Sequence, residues 1–461
     1  MRRLTWNELD EAARARALAR PEARRDPALV DGVRAIVDKV RAGGWKALAE
    51  EAMRIDGAMP QRVAVADMAD RARRDLAPAD LAAIELAAAN IARFHGESLP
   101  REIAVETMPG LVVRKIWRPV ERVGLYVPGG RTPLFSTLLM LALPARAAGV
   151  REIVVANPPR PDGGLDPLIA LAARLAGIEA VWTVGGAQAI AALAFGAGPV
   201  PRVDKICGPG NAWVAEAKTY VSSLSGGPAI DLPAGPSELM VIADGEADPR
   251  RVAADLLSQA EHDPAAQVLL ATDSAALADA VEAEVARQLA TLPRGDIAAA
   301  SLASARVLLV GAIGEAADIA NAYAPEHLSL AVADPAALLP LLSSAGAIFA
   351  GGWAAETFGD YLAGSSHVLP TDGAARGWSG VSVYSFLKAI TVQEVTPEAA
   401  RAAAAPAAAL ARLEGLEAHA RAADLRLGPG PNSVRPEPVE GRPFDPVALN
   451  ATGAARGGEN Q

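Results

Sequence analysis

Residues 123–134 read Val-Gly-Leu-Tyr-Val-Pro-Gly-Gly-Arg-Thr-Pro-Leu. A short β-prone run gives way to Pro128-Gly-Gly, and an apolar, helix-patterned run follows to about Ala148. A strand that ends in a glycine turn and opens a helix reads this way. The same unit recurs. A strand at Glu152–Ala156 is followed by a helix at Pro167–Ala176, and a strand at Ala180–Val184 leads through Gly185-Gly-Ala-Gln-Ala into another helix. Such alternation requires parallel strands joined by right-handed crossovers, which predicts an α/β protein with a doubly wound sheet.

Working outward, Leu111–Trp117 also reads as a strand, and residues before it are helical: Asp31–Arg41, Trp45–Arg54 and Pro78–His95. His95 in the last of these is expected to be an ordinary surface or packing histidine. Downstream of Ile230-Asp-Leu-Pro-Ala-Gly-Pro-Ser-Glu-Leu-Met-Val-Ile the alternation resumes, with a helix at Arg251–His262, a strand at Gln267–Thr272, a helix at Ala275–Leu289 and a strand at Ala305–Val310. This predicts a second α/β unit. Ala324-Pro-Glu-His-Leu and Thr357–Thr371 lack helical or strand periodicity and are expected to be loops. A helical segment from Pro397 to about Ala423 follows. The chain beyond Gly428 is rich in Gly, Pro and charge without apolar period, and is expected to be a disordered tail.

Composition narrows the function classes. The net charge of −10 argues against a broad nucleic-acid-binding face. A single cysteine, Cys207, excludes an internal disulfide and a Cys-rich metal site, and favours a reducing compartment. The N-terminus is Arg-rich but interrupted by acids and has no apolar signal core. Leu134–Leu143, between two prolines, is too short to span a bilayer. A cytoplasmic protein is expected.

In a doubly wound sheet, ligands bind beyond the carboxyl ends of the strands. Three glycine turns would line that edge: Pro128-Gly-Gly, Gly185-Gly186 and Gly208-Pro-Gly-Asn211. Glycine lets a backbone approach a phosphate, although the fingerprint Gly-x-Gly-x-x-Gly is absent.

Only five histidines occur in the chain, so each carries weight. Gln259 and His262, three apart near the end of a helical run, would share a face and could both meet a metal ion. With Asp360, His367, Glu414 and His419 they form a pool of imidazole, carboxylate and amide donors that suits Zn²⁺. The adjacent Glu326 and His327 offer a carboxylate and an imidazole for proton transfer near neutral pH. Cys207, without a nearby histidine in sequence, is read as inert.

Gly124-Leu-Tyr-Val-Pro-Gly-Gly, Gly185-Gly-Ala-Gln-Ala-Ile-Ala-Ala-Leu, Cys207-Gly-Pro-Gly-Asn and Asp231-Leu-Pro-Ala-Gly-Pro-Ser-Glu resemble segments of histidinol dehydrogenases. So do Ser258-Gln-Ala-Glu-His, Ala324-Pro-Glu-His-Leu, Gly359-Asp-Tyr, His367-Val-Leu-Pro-Thr and Glu414-Gly-Leu-Glu-Ala-His, in order from about residue 25 to 427. The resemblance implies a zinc enzyme that oxidises L-histidinol to L-histidine in two NAD-dependent hydride transfers through an enzyme-held aldehyde, at the end of histidine biosynthesis. It implies one zinc per subunit on Gln259, His262, Asp360 and His419, the last reaching over from the partner in an intertwined homodimer. His327 would be the base and Glu326 the activator of water. Substrate contacts would come from Ser237, Tyr361, His367 and Glu414 together with His327 and the zinc ligands, and NAD contacts from Tyr126, Gln188 and Asn211.

The implied architecture is two incomplete Rossmann-like domains with small terminal segments. Residues 1–24 would be helical. Residues 25–125 with 236–380 would form the domain of the zinc and base residues, 126–235 the domain of the cofactor turns, and 381–427 a helical dimer contact, with the tail at 428–461. Two stretches depart from the family: Ser365-Ser366 stands where Pro-Asn is usual, and Gly373–Gly380 follows it only loosely. A relative acting on another amino or sulfonated alcohol, and a non-catalytic metal-binding protein, are the competing readings. His367 with Glu414 speaks against the first, and Glu326 with His327 against the second.

Overall fold

The computed structural model describes residues 1–20, 27–129, 133–232 and 235–428. They fall into two compact units. The first holds Met1–Leu99 and Pro119–Phe386, and the second holds Pro100–Arg118 and the described residues from Leu387 on.

The first unit contains two six-stranded sheets. One has the order Arg2–Thr5, Arg306–Leu309, Gln267–Thr272, Glu238–Ala243, His327–Ala331, Ala347–Ala350, and every neighbouring pair is parallel. Its central strands are buried along their whole length, as expected where helices cover both faces of a parallel sheet. The other has the order Arg62–Ala64, Ala180–Thr183, Glu152–Asn157, Arg122–Tyr126, Lys205–Cys207, Ala229–Ile230; only Arg62–Ala64 runs antiparallel. The doubly wound α/β class expected from the sequence is what the chain adopts.

Several expectations are corrected. The strand Arg2–Thr5 makes the N-terminal segment more than helical, because it completes an edge of the first sheet beside Arg306–Leu309. The stretch 27–125, expected to belong with the first sheet, supplies it no strand. The long helix Pro27–Ile55, bent at Gly44, packs on the helices Gly186–Phe195 and Ala212–Ser223 of the other sheet, and the strand Arg122–Tyr126 lies at that sheet's centre. The physical reason is that the apolar stripe Val33, Ile36, Val37, Val40, Leu48 and Ala52 would cover any apolar partner, so the stripe alone names none.

Residues from 387 on are not purely helical either. Leu387–Val395 is a strand, joined with Leu111–Pro119 and Ile103–Met108 in a three-stranded sheet of the second unit. Helices Pro397–Leu413 and Glu417–Asp424 follow and pack on each other. The expected disordered tail lies, from residue 429, outside the described residues. Among the described residues no helix is long and apolar enough to cross a membrane.

Candidate functional site

The helix Ile313–Tyr323 stops at Ala324, which takes a left-handed φ of 54°. Pro325 follows, so the chain turns sharply and delivers Glu326 and His327 to the start of a central strand. The expected loop here is corrected: His327 begins the strand His327–Ala331, paired in register with Leu239. A strand buried on both faces lacks alternation, which is why its sequence shows no strand period. Glu326 Oε2 accepts from the Glu238 backbone N–H at 2.8 Å. His327 Nδ1 lies 3.1 Å from the Glu238 carbonyl oxygen, which can only accept, so Nδ1 carries a hydrogen.

The second expected loop is corrected at its start, where Glu356–Tyr361 is a six-residue helix, too short to show a period. It brings Glu356 and Asp360, four apart, onto one face. Gly359 permits its approach: a Cβ there would stand 2.5 Å from the Phe349 ring, which itself stacks on His327 at 5.9 Å. His327 Nδ1 is 3.6 Å from Glu356 Oε1 and 3.6 Å from Glu326 Oε2, and Nε2 is 3.5 Å from Asp360 Oδ1. One ligand atom each of His327, Glu356 and Asp360 lie within 4.8 Å of one another.

Electrostatics couple these groups. Burial pushes the Glu326 and Glu356 carboxyls well above the usual carboxylate range, with His327 opposing the rise. Burial also works against charge on His327, but Glu326, Glu356 and Asp360 outweigh it and raise the imidazole's pKa. For Asp360 burial is likewise the largest influence, overcome by the imidazoles of His327, His367 and His262, which leave it below its ordinary value. The arrangement is a water-poor nest in which protons can be shared between one imidazole and several carboxylates.

The helix Pro249–Ala260, capped by Asp248, supplies Gln259. Gln259 is fully buried, and neither atom of its amide has a hydrogen-bond partner. The expected helical run to His262 is corrected: the helix ends at Ala260, and His262 is exposed in the turn beyond, its N–H donating to the Gln259 carbonyl at 3.2 Å. The two residues are therefore adjacent through a turn rather than on one helical face. His262 still feels the charges of Asp360 and His327.

His367 closes the back of the site. Its Nδ1 lies 3.0 Å from the Asp360 carbonyl oxygen and its Nε2 2.8 Å from Thr137 Oγ1. In the departing stretch just before it, Ser366 Oγ accepts from the Val368 N–H at 3.1 Å. Ser237, half-buried, directly precedes the strand Glu238–Ala243, and Tyr361 is exposed at the end of its short helix. Glu414 and His419 are exposed residues of the second unit, Glu414 at the end of helix Pro397–Leu413 and His419 on Glu417–Asp424.

The glycine turns do share one strand edge, since the strands ending at Tyr126, Thr183 and Cys207 run parallel in one sheet. In the second and third turns the amides are engaged from within. Asp56 Oδ2 accepts from the Gly185 N–H at 3.0 Å and from Gln188 Nε2 at 3.1 Å, the Tyr126 hydroxyl accepts from the Gly186 N–H at 3.1 Å, and Asp231 Oδ2 accepts from the Gly208 N–H at 2.6 Å. Gln188 is buried with Oε1 unpartnered, while exposed Asn211 caps the helix Ala212–Ser223. Gly208, at φ 128°, has the Tyr126 carbonyl oxygen where a Cβ would go, 2.0 Å away. Cys207 is fully buried and its thiol is pushed far up by burial, which agrees with the inert reading.

Glu356 was not singled out in the sequence. The signal available was its spacing of four from Asp360, and that signal is common to any helix. Glu238 closes the run Asp231–Glu238 without an assigned role, and Arg20 gave no signal.

Fold and site together define an α/β protein with a buried nest of one imidazole and several carboxylates. The histidinol dehydrogenase family model matches residues 18–427, and the chain belongs to that family of oxidoreductases. It is 50% identical over 430 residues to a histidinol dehydrogenase of Xanthomonas euvesicatoria, covering 93% of this chain and 99% of that one. It is 44% identical over 428 residues to one from Vibrio parahaemolyticus, covering 93% and 98%. The crystal structure of histidinol dehydrogenase from Elizabethkingia anophelis is similar at a TM-score of 0.88 and 38% identity, covering 93% of this chain and 98% of that chain.

Proposed function

We propose that this chain oxidises L-histidinol to L-histidine in two successive NAD-linked steps, with zinc in the site and the intermediate aldehyde held by the enzyme, as the last step of histidine biosynthesis in the cytoplasm. The observation that carries the reading is His327, anchored through Nδ1 with Nε2 turned toward Asp360 between Glu326 and Glu356.

The donor set fits zinc. The Gln259 amide and Asp360 Oδ1 are buried polar atoms without hydrogen-bond partners, and such oxygen donors together with imidazole suit the ion. Gln259, His262 and Asp360 would hold it, with His419 supplied by the second copy in a homodimer. Zinc, when bound, fixes the substrate's imidazole and amine by a templating interaction. The cofactor side is supported by the unpartnered Gln188 Oε1 at the glycine-turn edge, with Tyr126 and Asn211 alongside. NAD, when bound, is the hydride acceptor of both steps.

The chain's own groups handle the protons. His327 Nε2 takes the hydroxyl proton as the alcohol becomes the aldehyde, and Glu326 takes a proton from the water that adds to the aldehyde carbon. Ser237, Tyr361 and Glu414 contact the substrate. Glu356, buried with neither carboxylate oxygen hydrogen-bonded, can accept from an N–H of the substrate's amine. His367 has both ring nitrogens engaged, which supports a role in orienting Asp360 beside any direct contact.

The test is NADH formation with L-histidinol, with metal content measured alongside. Two NADH per histidine formed is the expected yield, and zinc-replete protein that makes none sinks the reading.

A further inference from the structure

Glu238 is a charged residue opening a strand that is otherwise apolar, and it is buried. Its main chain and side chain grip different things. The backbone N–H donates to Glu326 Oε2 at 2.8 Å, and the carbonyl accepts from His327 Nδ1 at 3.1 Å. One peptide-bearing residue therefore holds both members of the acid–base pair.

The side chain is itself pinned. Arg20 Nε donates to Glu238 Oε1 at 2.6 Å and Nη2 to Oε2 at 2.7 Å, the two-pronged geometry that best fixes a carboxylate. The Asp372 N–H adds a third bond to Oε1 at 2.9 Å. The same Arg20 Nη2 donates to the Tyr323 carbonyl at 2.8 Å, and the guanidinium lies over the Tyr323 ring at 3.9 Å. Tyr323 ends the helix from which the chain turns into Glu326. Arg20 thus ties together Glu238 and the segment leading to the acid–base pair, and it comes from a part of the chain 218 residues away.

We propose that Arg20 and Glu238 are positioning residues for Glu326 and His327. This rests on the roles assigned above to that pair. The Glu238 carbonyl keeps the hydrogen on His327 Nδ1, which leaves Nε2 as the basic nitrogen toward the substrate, and the Glu238 N–H aims the Glu326 carboxylate. A lysine in place of Arg20 keeps the charge and loses the fork. A glutamine in place of Glu238 keeps the volume and loses the ion pair.

Histidines labelled with ¹⁵N in both ring nitrogens give few enough signals to resolve, because the chain has five. His327→Gln identifies the His327 pair. In the parent protein, zinc-replete and zinc-free, Nδ1 of His327 is expected to carry a hydrogen; an Nδ1 without one overturns the proposal and needs no folded variant. In Arg20→Lys and Glu238→Gln with normal zinc content, kcat is expected to fall at least about tenfold while KM for histidinol moves less than about threefold, with Glu238→Ala worse than Glu238→Gln. A kcat within about twofold of the parent in both variants, or a fall that only tracks the folded fraction, also overturns it. A parent that forms no NADH from histidinol would instead refute the proposed function, so the two failures are distinct.

Discussion

His367 holds Asp360 by its main chain. The ring Nδ1 lies 3.0 Å from the Asp360 carbonyl and must donate to it, so the neutral ring accepts the Thr137 hydroxyl at Nε2, 2.8 Å away. Thr137 belongs to the helix Phe135–Ala147, which follows the first glycine turn, so one imidazole links the helix of one sheet to the carboxylate beside the strand of the other.

Replacing His367 by Phe should therefore act through Asp360 as well as on the substrate. Zinc affinity should fall by about tenfold or more, in the range seen when an outer partner of a metal ligand is removed. Competition with a chelator measures it. Unchanged zinc affinity with a raised KM alone would leave His367 as a substrate contact only.

On the roles proposed for Glu326 and His327, the effects of their loss separate by step. His327→Ala should reduce both oxidation steps by about 10²-fold or more with zinc still bound, whereas Glu326→Ala should chiefly slow oxidation of the aldehyde. Single-turnover assays started from the alcohol and from the aldehyde resolve the two. Equal losses in both steps for Glu326→Ala would contradict the assignment.

Gln259 has its amide buried without a partner, so the zinc reading predicts that metal satisfies it. Removal of metal by a chelator should abolish NADH formation, and zinc should restore it. In Gln259→Leu, which fills the space with no donor, zinc should be lost at concentrations that saturate the parent. Full zinc retention there would remove Gln259 from the ligand set.

His95 gives a pH dependence of stability away from the site. It is buried on the helix Pro78–Glu97 without a ring hydrogen bond, and burial lowers its pKa to about 4. Above the unfolded value neither state binds the proton. As pH falls from there toward about 4 the unfolded chain takes the proton and the folded chain does not, so stability drops by up to about 3 kcal/mol and then levels. Against this background His95→Leu should lose less of its melting temperature between neutral pH and pH 5 than the parent does. Parallel losses would show that His95 is not responsible.

Lys218 and Asp231 form a buried ion pair around the third glycine turn, with Lys218 Nζ donating to the Gly208 carbonyl at 2.8 Å. Lys218→Met strands the Asp231 carboxylate and should destabilise the protein by about 3–5 kcal/mol. Adding Asp231→Asn should recover part of that loss. Urea denaturation of the parent and both variants would measure it.

The recurring strand, glycine turn and helix from Val123 onward made the doubly wound class legible, because that class follows from local periodicity and from the handedness of crossovers. The pair Glu326-His327 and the sparse histidines were legible for the same local reason. The element holding His327 was not, since a strand buried on both faces loses its alternation. Nor was Glu356, because a one-and-a-half-turn helix shows no period.

By itself, the sequence determined which chemical groups this protein carries and which repeating units it folds. Tertiary structure alone decided that the helix Pro27–Ile55 covers the glycine-turn sheet, and that Arg20, Glu238 and the acid–base pair meet at one point. Apolar stripes and buried ions choose partners by shape and by complementary charge across hundreds of residues, and neither is written in any local stretch.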